Sequence, residues 1–149
     1  HLPNPEAFIE QLRKQFDYEP KRLVLTTPNV GFAVPRLMLL LGQFNYGKVG
    51  ILSRSHTRLF TFRSIQRLLR DAGFRIKEVR GVPAPFPKVF GQGAVGMGLL
   101  KANELAIKLS RTLFAYQVFI VAESTPSVDF VLSSSKEQSR RRASRLHSA

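Results

Sequence analysis

The spacing of apolar residues predicts an amphipathic helix at the start of the chain. Asn4 is a residue type that caps helices, and a proline at position 5 suits the first helical turn, where its missing N–H is not needed. The apolar residues that follow share one helical face: Phe8, Ile9, Leu12 and Phe16. No signal peptide, initiator methionine or first strand precedes this helix. We therefore expect the chain to be a fragment that begins in the middle of a protein.

Three apolar runs predict strands. The run 21–27 is continuous between two prolines, which predicts a strand buried on both faces. Residues 74–80 alternate between apolar and polar side chains, as a half-exposed strand would, with a slight change of phase at Glu78 and Val79. The run "FAYQVFIVAES" (114–124) is again continuous, so it predicts another strand buried on both faces.

Helices are predicted between these strands. Thr61 can cap a helix, and Gly73 supplies the left-handed residue that ends it. Two further helical patterns cover 34–44 and 99–111. The proline- and glycine-rich segment "VPAPFPKVFGQGAVGMG" (82–98) predicts a loop. The apolar residues of the capped helix fall on one face: Phe62, Ile65, Leu68, Leu69 and Ala72.

The order of these elements predicts an α/β fold in which helices cover a sheet. The basic tail 134–149 is polar and aperiodic, which predicts disorder and leaves 1–133 as the folded part. Because apolar strand edges pair or aggregate when exposed, we expect further strands to belong to this sheet. A sheet of only three strands would expose a set of apolar residues: Leu23, Val24, Leu25, Phe119, Ile120 and Val121.

Composition excludes several classes of protein. The length of 149 residues suits one domain, and an apolar fraction of 44% is ordinary for a globular chain. No apolar run approaches the ~18 residues of a membrane span, so no membrane partner is expected. The absence of cysteine excludes disulfides and thiolate metal sites, and it fits a reducing compartment such as the cytoplasm. The three histidines are too scattered for a metal site, so no metal is implied.

The net charge of +13 suggests nucleic acid or an anionic surface as a partner. Basic residues are spread over the predicted helices and strands, however, which favours solvated polar faces. Two readings without catalysis stay open: a basic nucleic-acid-binding module, and a half-domain that completes its sheet on a partner chain. Deletion of 134–149 tests the nucleic-acid-binding module, because a loss of nucleic-acid binding would show that residues 1–133 are not the part that binds.

Four segments in a fixed order resemble a known family. They are "HLPNPEAFIEQLRKQF", "KRLVLTTPNV", "HTRLFTFRSIQRLLRDAGFRIKEV" and "LFAYQVFIVAE". Together they resemble the C-terminal half of class I S-adenosylmethionine-dependent methyltransferases, in particular the small-molecule group that includes ubiquinone-biosynthesis-type enzymes. The resemblance covers about residues 1–125. It implies a Rossmann-like sheet of which this chain supplies the last three strands, the final one antiparallel, and methyl transfer to a small-molecule acceptor.

The resemblance also implies S-adenosylmethionine as the cofactor, although the half that would bind it is missing. The glycine-rich loop after the first strand and the acidic residue after the second strand are both absent, so the isolated chain is predicted to be inactive. "GQGAVG" (91–96) fits G-x-G-x-x-G, but three prolines precede it and no acidic residue lies about 20 positions later. Cofactor-binding residues are therefore not assigned.

Two histidines are candidate catalytic bases. By resemblance, His1 follows the end of the preceding strand, and His56 lies in a polar loop before the capped helix. Histidine can remove a proton near neutral pH, which a hydroxyl acceptor of a methyl group requires.

Five further residues are candidates for substrate binding. Pro28 and Asn29 end a predicted strand, where ligands of open α/β sheets bind, and Asn29 suits either a substrate hydroxyl or a turn. Arg58 is a candidate to hold an anionic group, and Tyr46 and Phe60 are candidate aromatic walls.

Overall fold

The computed structural model describes residues 2–16, 20–126, 131–132 and 134–140. It confirms the α/β class predicted from the sequence. The elements in chain order are α1 (Pro5–Gln15), β1 (Arg22–Pro28), α2 (Ala33–Leu40), α3 (Phe62–Asp71), β2 (Phe74–Val82), α4 (Phe86–Phe90), α5 (Ala94–Leu109), α6 (Arg111–Phe114) and β3 (Gln117–Ser124).

The three strands form one sheet in the order β1-β3-β2. The last strand, β3, is antiparallel to both neighbours, as the resemblance implies for the final strand. Consequently β1 and β2 run parallel to each other on either side of β3, and their carboxyl ends lie at the same end of the sheet. A β-bulge between Ile76 and Glu78 coincides with the change of phase that the sequence shows in β2.

The core lies on one face of the sheet. Val118, Ile120 and Ala122 of β3 are buried there against α3, whose capping box joins Thr61 and Ser64. Ile9 of α1 also belongs to this core, and Asn4 caps α1 by accepting the Ala7 N–H at 3.0 Å. The predicted caps and the glycine stop of α3, where Gly73 has φ +83°, are therefore confirmed.

The prediction that β1 and β3 are buried on both faces was wrong. In β1 the exposure alternates: Leu23 and Leu25 are half-buried toward the core, and Val24 is exposed on the opposite face. In β3 one face is buried and the other is half-buried. The expectation that a sheet of only three strands would expose Ile120 was also wrong, because β3 is the central strand and β1 and β2 are the edges.

The prediction of a loop over 82–98 was wrong as well, because this segment holds α4 and the start of α5. Its glycines have structural reasons. Gly91 has φ +80°, a left-handed conformation that suits the turn between the two helices. At Gly96 a Cβ atom would lie 2.0 Å from the Gly91 carbonyl oxygen, so only glycine lets the first turn of α5 approach this turn.

Part of the basic tail is helical. Residues 134–140 have helical backbone and are exposed along their length. Residues 141–149 lie outside the described residues, so their disorder remains a prediction. The boundary between the folded part and the tail at residue 133 also remains a prediction. No helix in the part of the chain that the structure describes is long and apolar enough to span a membrane.

Candidate functional site

A groove of about 660 Å³ runs along the free edge of β1. One wall is the apolar face of α1, and the other is formed by the loop that precedes α3 and by α3 itself. Residues along the whole length of β1, from Leu23 to Pro28, line it. The groove is therefore mostly apolar along its length, and its polar side chains lie near the carboxyl end of β1: Thr26, Thr27, His56, Thr57, Arg58 and Gln117.

Backbone hydrogen bonds hold the 56–60 loop beside the carboxyl end of β1. Asn29 donates its N–H to the Tyr116 carbonyl at 2.9 Å, which extends the β1–β3 pairing by one residue. Val30 donates its N–H to the Phe60 carbonyl at 2.9 Å, so Phe60 pairs in parallel with the end of β1. This arrangement brings four candidate residues to one groove: Pro28, His56, Arg58 and Phe60.

The backbone fixes the orientation and the tautomer of His56. Its Nδ1 lies 3.0 Å from the Ile51 carbonyl oxygen. Since a carbonyl only accepts hydrogen bonds, Nδ1 carries the hydrogen of the neutral ring, and the basic lone pair is on Nε2. The role of His56 as a catalytic base remains a prediction.

Arg58 is held by an acidic residue that the sequence analysis did not identify. Its Nη2 lies 3.2 Å from Oε1 of Glu6, and both side chains are partly exposed. Such an exposed ion pair contributes at most about 1 kcal/mol to stability, so its main effect is to orient the guanidinium beside the groove. The other carboxylate oxygen of Glu6, Oε2, is buried and has no hydrogen-bond partner among the described residues. Only the folded chain brings α1 next to this loop.

Asn29 is completely buried, and its side chain serves the backbone. The amide nitrogen donates to the carbonyl oxygens of Ala115 at 2.8 Å and Thr112 at 3.0 Å. The amide oxygen accepts the Gly31 N–H at 3.0 Å. These three bonds fit the turn role that the sequence left open, whereas the role in binding a substrate hydroxyl remains a prediction.

Tyr46 does not line the groove. Tyr46 is partly exposed and packs edge-to-face on Phe44, with ring centroids 5.6 Å apart. His1 lies outside the described residues, and the next residue, Leu2, accepts a hydrogen bond from Thr57 Oγ1 at 2.5 Å. The catalytic role of His1 and the wall role of Tyr46 remain predictions.

A second cavity of about 280 Å³ lies between α2 and the start of β3. Tyr116, Phe32 and Met38 line it, and the rings of Tyr116 and Phe32 pack edge-to-face at 5.9 Å. Sequence reasoning missed Tyr116 because it falls inside the apolar run of the last strand. This cavity adds an apolar space at the same end of the sheet as the groove.

The glycine-rich segment 91–96 does not fit the S-adenosylmethionine cofactor. The glycine-rich turn 91–96 follows α4 rather than a strand, and its own backbone closes it at Gly96. No Asp or Glu occurs between Val79 and Asn103, so no carboxylate for ribose hydroxyls lies in or near that segment of the sequence. Within the described ranges, no three His, Asp or Glu side chains are grouped to hold a metal ion.

Comparison with known proteins gives no relative for this chain: no protein-family model matches it, and no curated protein matches it.

Proposed function

We propose that this chain forms the acceptor side of an S-adenosylmethionine-dependent methyltransferase that acts on a small molecule. The observation that carries the proposal is the grouping of Pro28, His56, Arg58 and Phe60 along one groove at the carboxyl end of β1. Ligands of open α/β sheets bind at this end of the strands. The antiparallel last strand gives further support, because it is the strand direction that the sequence resemblance implies.

In this proposal the chain's own residues bind the acceptor and prepare it for the reaction. The apolar groove would take the body of the acceptor and exclude water, with Phe60 as a wall. Arg58, oriented by Glu6, would hold an anionic group of the acceptor. Methyl transfer depends mainly on placing the two reacting atoms in line at near-contact distance. S-adenosylmethionine would supply the methyl group, and no step of its binding is assigned to the described residues.

His56 is the candidate base for this reaction. When the acceptor atom is a hydroxyl oxygen, Nε2 of His56 would take its proton, while the hydrogen bond from Nδ1 to Ile51 keeps the ring in place. His56→Gln is expected to lower the rate of methyl transfer about a hundredfold, at the low end of the range for general-base catalysis. The assay uses the protein encoded by the complete reading frame that contains this chain and follows transfer of a radioactive methyl group.

Arg63→Gln, an exposed change on α3, is the control and is expected to leave the rate unchanged. An unchanged rate in His56→Gln would remove His56 from the reaction.

The edge of β1 supports a second candidate, a module without catalysis that completes its sheet on another polypeptide segment. Ser124 donates its N–H to the Lys21 carbonyl, and Asn29 donates its N–H to the Tyr116 carbonyl. The backbone N–H and C=O groups of the odd-numbered residues of β1 therefore point toward β3. Because hydrogen-bonding direction alternates along an antiparallel pair, the N–H and C=O groups of Arg22, Val24 and Thr26 point away from β3. An added strand would pair with these groups beside the groove.

A further inference from the structure

Helix α2 is apolar at nearly every position and yet lies on the surface. Arg36 is its only polar residue. A helix that is apolar on all sides is expected in a core or against lipid, because water otherwise contacts its side chains. Here Leu40 is 83% exposed, and Leu37 and Leu41 are more than half exposed. Packing within the described structure therefore does not explain the composition of α2.

Exposed apolar side chains continue into the segment that follows α2, where Val49 is 86% exposed. Eight of the 20 large apolar side chains that are exposed in the described residues lie between positions 34 and 49, so the exposure is concentrated there. Large exposed apolar patches mark sites of interaction. We call these eight residues the apolar surface: Val34, Leu37, Leu39, Leu40, Leu41, Phe44, Tyr46 and Val49.

Along the sequence, the charged residues on and beside the apolar surface are all basic. The sequence from Pro20 to Arg70 has no Asp or Glu. Arg36 lies on α2 itself, and Lys48 and Arg54 flank the turn in which Arg54 donates its N–H to the Gly47 carbonyl at 3.1 Å. In the part of the chain that the structure describes, none of these three cations pairs with a carboxylate. The same stretch carries nine basic residues: Lys21, Arg22, Arg36, Lys48, Arg54, Arg58, Arg63, Arg67 and Arg70.

We propose that the apolar surface docks on the surface of an anionic lipid bilayer. Leu37, Leu40 and Leu41 would enter the boundary between head groups and acyl chains, and the adjoining cations would contact lipid phosphates. Charge complementarity favours an anionic bilayer over a neutral one. Nucleic acid fits less well, because base stacking uses aromatic side chains and most of this surface is aliphatic.

Docking of this kind differs from spanning a membrane, and it departs from the expectation, drawn from the sequence, that the chain has no membrane partner. A helix that lies in the interface needs an apolar face and neighbouring cations rather than the length of a membrane span. The apolar surface follows directly on β1, so docking would place the carboxyl end of the sheet near the lipid head groups. The proposal rests on exposure and charge alone, and it stands independently of methyl transfer.

The test is sedimentation of the full 149-residue chain with vesicles made of equal parts phosphatidylglycerol and phosphatidylcholine. The double variant Leu40→Glu/Leu41→Glu places two negative charges on the apolar surface, where both side chains are already exposed. We expect its vesicle affinity to be at least about tenfold lower than that of the unchanged chain. The matched control is Leu109→Glu, because Leu109 is 86% exposed at the end of α5, outside the apolar surface, and its affinity should stay the same.

Salt separates the two contributions. Raising the salt from about 0.1 M to about 1 M shortens the screening length from about 10 Å to about 3 Å, so binding should weaken, and the part due to apolar insertion should remain. Equal affinity for vesicles of phosphatidylcholine alone would overturn the role of the cations. Absence of binding at low salt, or an equal loss in Leu109→Glu, would overturn the proposal. So would self-association, seen by sedimentation velocity in the unchanged chain and lost in the double variant, without vesicle binding.

Discussion

Replacing Leu69 by alanine is expected to lower the free energy of unfolding by about 2–5 kcal/mol. Leu69 is 0% exposed and belongs to the core between α3 and β3, together with Phe62, Ile65 and Ile120. The shorter side chain would leave a cavity between a helix and a sheet, two rigid elements that cannot close it fully. Unfolding by urea, followed by far-UV circular dichroism, measures the change.

Leu109→Ala is the matched control for that measurement. The same atoms are removed from a side chain that is exposed to water, so the expected change is within about 0.5 kcal/mol. If both variants lost the same free energy, the core described here between α3 and β3 would be wrong.

Asn29→Ala is expected to lower the free energy of unfolding by about 3 kcal/mol, the sum of several lost buried hydrogen bonds. The change removes the donor to the Ala115 and Thr112 carbonyls and the acceptor of the Gly31 N–H. These backbone groups lie where water does not readily replace the amide. The same denaturation experiment measures the loss.

Asn45→Ala is the control for this change, because Asn45 is exposed in the segment after α2. It should cost no more than about 0.5 kcal/mol. A stable Asn29→Ala variant would show that the three bonds do not hold the end of β1, and it would favour the predicted role of Asn29 in binding a substrate.

Local signals predicted the parts of this fold that depend on neighbouring residues. The cap at Asn4, the capping residue Thr61 and the left-handed Gly73 fixed two helices because each acts on backbone groups a few positions away. The change of phase at Glu78 likewise matches the bulge in β2, since a bulge shifts the alternation of the strand itself.

Features that depend on distant residues were not predicted. A continuous apolar run does not reveal whether one or two faces are covered, and β3 became the central strand because β1 and β2 both pair with it. The helices in the proline- and glycine-rich segment were missed for a local reason, because Gly91 forms the left-handed turn between them and Gly96 lies close to the Gly91 carbonyl. The prolines and glycines alone therefore predicted a loop in this segment.

The candidate site likewise contains residues that the sequence predicted and residues that it did not. His56, Arg58 and Phe60 were proposed from a short motif, and the structure brings them to one groove. Glu6 was missed because it is far from Arg58 in sequence and adjacent only after α1 packs beside the loop. Asn29 matched its motif, but its burial and its three backbone bonds were not readable from the sequence.

Equilibrium binding of S-adenosylmethionine tests whether this chain is the acceptor side of a methyltransferase. The protein encoded by the complete reading frame and the 149-residue chain alone would be titrated side by side in a calorimeter. We expect the complete protein to bind the cofactor and the chain alone not to bind it, because the glycine-rich turn 91–96 does not fit the cofactor. Failure of the complete protein to bind would remove methyl transfer as the function and leave the module that completes its sheet on another segment as the better description.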